Sequence, residues 1–148
     1  MIEELDHIGI IVPDLNEAVA RYQEVLGVSQ VVWEDYGEGL LALAFLPLSS
    51  GGSAGSGPQI ELIEPRRPGS AAWDFLETVG SGVEHLAFRV PNLTETLARC
   101  QALGISLRDE TPRPGAGGTR IAFVDKSATP GCLIEFVEGL RMAEGPSR

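Results

Sequence analysis

A stretch of eleven residues occurs twice in this chain. Leu5-Asp6-His7-Ile8-Gly9-Ile10-Ile11-Val12-Pro13-Asp14-Leu15 returns 78 positions later as Val83-Glu84-His85-Leu86-Ala87-Phe88-Arg89-Val90-Pro91-Asn92-Leu93. Residues 5–23 set against 83–101 without gaps share eight identities: His7/His85, Val12/Val90, Pro13/Pro91, Leu15/Leu93, Glu17/Glu95, Ala20/Ala98, Arg21/Arg99 and Gln23/Gln101. The only two histidines of the chain fall at one matched position. A second echo closes each half, Ile60-Glu61-Leu62-Ile63-Glu64 against Ile134-Glu135-Phe136-Val137-Glu138. Two like halves must adopt like units, and each unit must bury its apolar sheet face against its twin.

The local signals define those units. Leu5 to Val12 is rich in β-branched residues and is stopped by Pro13, which reads as a strand. Asp14 is an N-cap and Glu17 completes a capping box, so a helix is expected from Leu15 to Leu26, ended by Gly27. Strands are expected over Val28–Tyr36 and Leu40–Leu46, joined by Gly-Glu-Gly, and over Gln59–Glu64. A Ser/Gly-rich loop spans 49–58, and Ser70 caps a short helix near Ala71–Val79. The second half repeats the plan. A strand over Val83–Val90 leads to a helix capped by Asn92 and ended by Gly104. Strands follow near Ile105–Asp109, Arg120–Asp125 and Cys132–Glu138, with a Pro/Gly loop at 112–118 and a polar tail from Arg141. The expected architecture is α+β, one domain over 1–148 made of two βαβββ modules. They cover residues 1–80 and 81–140, with a tail at 141–148, and form a curled eight-stranded mixed sheet around a cleft.

A formal net charge of −10 argues against a nucleic-acid partner, which needs clustered cations. Lys126 is the one lysine, so an anionic ligand falls to arginines such as Arg66, Arg67, Arg113 and Arg120. No apolar run approaches the roughly 20 residues that span a bilayer, which argues against a membrane partner. The acidic N-terminus lacks a secretory signal pattern. Cys100 and Cys132 make no disulfide framework. A cytoplasmic location is the expectation.

The chemistry lies in the matched polar positions. His7 and Glu61 belong to one half, His85 and Glu135 to the other. Two imidazoles and two carboxylates converging between the halves make a mixed nitrogen–oxygen site for a divalent ion. Such an ion polarises a carbonyl and makes removal of a neighbouring proton feasible. A duplicated fold explains one retained histidine position but requires no matched glutamates. Glu64 and Glu138 are equally matched and lie three residues on, hence on the opposite strand face. The apolar neighbours of Glu61 and Glu135 favour these two as the inward pair, although spacing alone leaves the choice open.

These motifs, with Gly115-Ala116-Gly117-Gly118-Thr119-Arg120-Ile121-Ala122-Phe123-Val124 and Gly131-Cys132-Leu133-Ile134-Glu135-Phe136, resemble the vicinal oxygen chelate superfamily (glyoxalase, bleomycin resistance and dioxygenase proteins). The late motifs resemble its methylmalonyl-CoA epimerase branch. The resemblance covers nearly the whole chain. It implies His7, Glu61, His85 and Glu135 as ligands of one divalent metal ion (Co, Ni, Zn, Mn or Fe), with Glu135 or a nearby acid moving the proton. It further implies an acyl-CoA or other thioester or thiol adduct as substrate, and a homodimer. The expected activity is that of a metal-dependent isomerase acting next to a thioester. The alternatives are a glyoxalase I-like lyase or isomerase, and a non-catalytic ligand-binding or resistance protein. One departure stands out: the epimerase glutamate base of the third strand aligns with Ala42, and no residue from Leu40 to Leu46 ionises. Glu34, Asp35 and Glu38 are the substitutes within reach in sequence.

Overall fold

The computed structural model describes residues 1–49 and 57–141. The Ser/Gly-rich loop therefore lies mostly, and the tail beyond Arg141 wholly, outside the described residues. The first half runs β1 (Glu4–Ile11), α1 (Leu15–Leu26), β2 (Val32–Tyr36), β3 (Leu41–Pro47) and β4 (Gln59–Pro65). After α2 (Ala71–Thr78), the second half runs β5 (Gly82–Arg89), α3 (Leu93–Ala102), β6 (Arg113–Pro114), a 3-10 turn (Ala116–Gly118), β7 (Arg120–Phe123) and β8 (Leu133–Glu138). The strands form one mixed sheet in the order β2-β3-β4-β1-β5-β8-β7-β6. The order reads alike from both edges, so the halves meet at the antiparallel β1–β5 pair, with β4 parallel to β1 and β8 parallel to β5. This is the paired βαβββ architecture expected from the repeat, and it is the fold that the resemblance implies.

The helices begin where their caps dictate. Asp14 accepts a hydrogen bond from Glu17 N, and Asn92 accepts one from Glu95 N. One sheet face packs against α1 through Ile10, Val12, Leu15, Val19, Ala44 and Leu62. Its counterpart packs against α3 through Val90, Leu93, Leu97, Cys100 and Phe136. The other face turns inward, where Ile11, Phe45 and Ile63 meet α2. Strand periodicity then sorts the matched glutamates. Glu64 and Glu138 fall on the helix side, where Glu64 Oε1 accepts from Leu15 N (2.8 Å) and Glu138 Oε2 from Leu93 N (2.7 Å). They hold the helix N-termini, where carboxylates are favoured by otherwise unpaired N–H groups and the helix dipole. Glu64→Gln is expected to lower stability by about 1–2 kcal/mol. A urea denaturation midpoint checks this, and Glu138→Gln should match it in size.

Three boundaries differ from expectation. Residues 28–31 precede β2 rather than joining it. Ile105–Asp109 is not a strand; Leu107 alone bridges to Val124. The cause is Asp109, whose Oδ2 accepts from Phe123 N (2.9 Å) and so takes the place of a backbone partner. The edge strand lies instead at Arg113–Pro114, inside the segment expected to be a plain loop. Arg141, assigned to the polar tail, is only 8% exposed.

Candidate metal centre

The β1–β5 seam carries two register irregularities, one between Leu5 and His7 and one between Gly9 and Ile10. The residues passed over are Asp6 on β1 and Glu84 on β5. A bulge re-aims a side chain, and here each brings an acid beside the histidine that follows it. Asp6 Oδ2 lies 2.7 Å from His7 Nδ1, and Glu84 Oε1 lies 3.0 Å from His85 Nδ1. Both acids are buried. A histidine whose Nδ1–H donates to a carboxylate presents Nε2 as a lone-pair donor. Asp6 and Glu84 thus orient the two rings, and neither was singled out from the sequence. The signal was legible, since an acid precedes the histidine in both copies.

The two Nε2 atoms face each other at 3.1 Å. Glu135 Oε2 lies 3.0 Å from His7 Nε2 and 3.2 Å from His85 Nε2. Glu61 stands slightly further out, 3.6 Å from His7 Nε2 and 3.9 Å from His85 Nε2. All four residues named from the sequence therefore converge, and His7, His85 and Glu135 form the tight group. Three donors about 3 Å apart suit an ion with ligand bonds of about 2.1 Å at right angles, which separate donors by about 3.0 Å. Two imidazoles and a carboxylate are the donor types that hold such ions. The residues present fit a divalent metal, and Glu61 is near enough to complete the set.

The charges of the ion-free cluster are interdependent. Burial alone would lower the His85 pKa, but hydrogen bonds to Glu135 and Glu84 and the charge of Glu135 outweigh it and raise it to about 9. Burial is likewise outweighed at His7, which Glu61 and Glu135 push upward. Glu135 is held well below the usual carboxylate range, because the two histidines overcome its burial. Glu61 is pushed up by burial, with repulsion from Glu135 and Glu84 added. The two carboxylates are thus driven apart, one toward the charged and one toward the protonated form.

A pH dependence follows. His85 carries a proton until about pH 9, and an ion needs the bare ring nitrogen. The apparent affinity for cobalt(II) should therefore rise by about tenfold per pH unit between about pH 7 and 9 for each proton displaced. Calorimetry in buffers of different ionisation enthalpy counts those protons. In the ion-free protein the sign is opposite. A raised histidine stabilises the fold fully below about pH 6.5, and that contribution is lost as pH rises through about 9.

The cluster opens into a cavity of about 420 Å³. Glu61, Glu84, His85 and Glu135 line its polar floor, and Leu41, Leu43, Ile63, Ile121 and Phe123 its walls. Tyr36, Arg108, Asp109 and Arg113 line it as well, and Arg113 Nη1 donates to the Tyr36 hydroxyl (3.1 Å). A second groove shares Ala71, Glu84 and Arg108 with the first and extends past Lys126, Ser127 and Thr129. Several sequence expectations are corrected here. Ala42 packs into the core beneath α1 and does not face the cleft. The cleft-facing residues of β3 are Leu41 and Leu43, one position to either side, and neither ionises. Glu34, Asp35 and Glu38 do not line the cavity; Glu34 accepts from Gly117 N (2.9 Å). That bond also occupies one N–H of the Pro/Gly loop. Arg66 pairs with Glu64 and Arg120 with Glu138. Of the four arginines named from sequence, Arg113 is the one that lines the cavity.

A paired-module sheet with a two-histidine, carboxylate cluster at its seam defines a class of proteins built from two repeated halves around a shared cleft. The chain belongs to the Glyoxalase/Bleomycin resistance protein/Dioxygenase superfamily, whose pattern matches residues 6–123. It is 30% identical over 138 residues to the ethylmalonyl-CoA/methylmalonyl-CoA epimerase of Cereibacter sphaeroides, covering 92% of this chain and 98% of that one. The crystal structure of methylmalonyl-CoA epimerase from Mycobacterium tuberculosis superposes with a TM-score of 0.83 at 33% identity, covering 98% of this chain and 90% of that one. A methylmalonyl-CoA epimerase in complex with methylmalonyl-CoA and NH4+ superposes with a TM-score of 0.86 at 30% identity, covering 99% and 100%. No helix among the described residues is long and apolar enough to cross a membrane.

Proposed function

We propose that the protein is a divalent-metal-dependent isomerase that moves a proton on the carbon next to a thioester carbonyl, with a branched acyl-CoA of the methylmalonyl type as substrate. The observation that carries this reading is the triangle of His7 Nε2, His85 Nε2 and Glu135 Oε2 at the floor of an apolar-walled cavity. His7, His85 and Glu135 would hold the ion, with Glu61 as fourth ligand. A divalent ion held there supplies positive charge for the carbonyl oxygen, which makes the neighbouring C–H bond acidic. Glu135, the carboxylate nearest both histidine Nε2 atoms, takes the proton from that carbon. Glu61, the second carboxylate at the site and 3.6 Å from His7 Nε2, returns a proton to that carbon. This pairing removes the need for an acid on β3, where Leu41 and Leu43 stand. Asp6 and Glu84 hold the two rings, and the walls of Leu43, Ile63 and Phe123 keep bulk water from the charged transition state. The second groove offers the remainder of an acyl-CoA a path out of the cavity, past Lys126.

The deciding experiment incubates methylmalonyl-CoA with the cobalt-loaded protein in deuterated water. Metal-dependent incorporation of deuterium at C2 supports the reading, and absence of exchange with metal bound overturns it. The glyoxalase alternative draws support from Glu61, a ligand carboxylate that can move the proton itself. Turnover of a hemithioacetal without exchange on the acyl-CoA would favour it. Tight binding of either ligand without turnover would mark a binding module of the same fold.

A further inference from the structure

The two histidine arms are supported unequally. His85 Nδ1 is held by Glu84. His7 Nδ1 is held by Asp6, and Asp6 is in turn held by two guanidiniums. Arg89 lies on the seam opposite Glu4, pairs with it, and donates to Asp6 Oδ1 (2.6 Å). Its single charge is shared between Glu4 and Asp6. Arg141 comes from elsewhere, beyond β8 and 135 positions from Asp6. Its Nη1 donates to Asp6 Oδ2 (2.7 Å), its Nη2 also contacts that oxygen, and Nη2 lies 3.2 Å from His7 Nδ1.

The surroundings of Arg141 are built to keep it there. Its guanidinium carbon lies 4.5 Å from the centre of the Phe45 ring, and that ring meets His7 edge-on with centroids 6.0 Å apart. Gly117 closes over its stem, where a Cβ would stand 2.6 Å from Arg141 Cγ. Arg141 Nε is buried without a hydrogen-bond partner among the described residues. Burying a guanidinium is costly unless its charge and donors are answered, and Asp6, which Arg141 shares with Arg89, answers Arg141 only in part.

We propose that Arg141 is a positioning residue of the metal centre. Reaching from the second half into the first, it fixes the bulged Asp6 carboxylate, and through it the His7 ring, with Nε2 aimed at the site. The inference rests on reading the cluster as a metal centre, and it makes the segment after β8 part of that centre.

Cobalt(II) titration with a competing chelator, read by the visible spectrum of the bound ion, tests it on the wild-type chain, Arg141→Met and Arg141→Lys. Methionine keeps length and contact with Phe45 but removes charge and donors. It should weaken cobalt binding about 10- to 100-fold and shift the spectrum, as loss of a group orienting a ligand does. Lysine should recover part of that loss. A purely structural role predicts a lower melting temperature of the ion-free protein with cobalt affinity within about twofold of wild type, and that result overturns the proposal. If Arg141→Met does not fold, Arg141→Lys decides alone, a threefold or larger loss supporting the proposal and an unchanged affinity overturning it. A wild-type chain that takes up no cobalt overturns the metal centre and this inference with it.

Discussion

Glutamine in place of Glu135 is expected to cut deuterium incorporation at C2 by about a thousandfold at saturating metal, or about 4 kcal/mol of barrier. The substitution keeps the shape of the side chain and removes its basicity. Glu135 Oε2 lies within 3.2 Å of both histidine Nε2 atoms, so the effect also reaches the rings. Glu135 is the chief opponent of burial at His85, and without it the His85 pKa should fall from about 9. An NMR titration of the two histidines reads this directly in the ion-free protein. A His85 still protonated at pH 8 in Glu135→Gln would show that Glu84 alone holds its proton.

Alanine in place of Gly9 is expected to weaken ion binding by more than about 100-fold while changing no polar group. Gly9 pairs with His85 across the seam, and a Cβ there would stand 2.1 Å from His85 Cε1 and 2.4 Å from Nε2. The imidazole packs against bare backbone, so one methyl group must displace either the ring or the strand. Overpacking of this kind costs about 1–3 kcal/mol, which urea denaturation would register. Cobalt titration reads the larger effect. Binding at wild-type strength would mean that the seam yields and the ring keeps its place.

The fold was legible because the chain states it twice. His7 and His85 mark the same strand, and Asp14 and Asn92 cap the same helix. The matched Ile-Glu strands place Glu61 and Glu135 on one face and Glu64 and Glu138 on the other. Choosing between the faces required to know which side the helices cover, a tertiary fact. The acids beside the histidines were present in sequence as Asp6-His7 and Glu84-His85. Strand alternation predicts that neighbours point apart, and only the bulges bring them together. Ala42 lies on the helix side of β3 while its neighbours Leu41 and Leu43 face the cleft, a distinction of one position that composition does not reveal. Arg141 was illegible altogether. A single arginine after the last strand carries no periodicity, and its role depends on a contact across 135 residues.

The seam has a mechanical consequence. Each half contributes one histidine and one carboxylate, so neither half alone offers more than two donors. An ion bound at the centre would act as a clasp across β1 and β5, because parting those strands would dismantle it. Free energy of binding then becomes free energy of closure, about 2.7 kcal/mol when free ion stands at a hundred times its dissociation constant. Amide protons along β1 and β5 should exchange with solvent more slowly as ion is added, while those of the outer strands β2 and β6 change little.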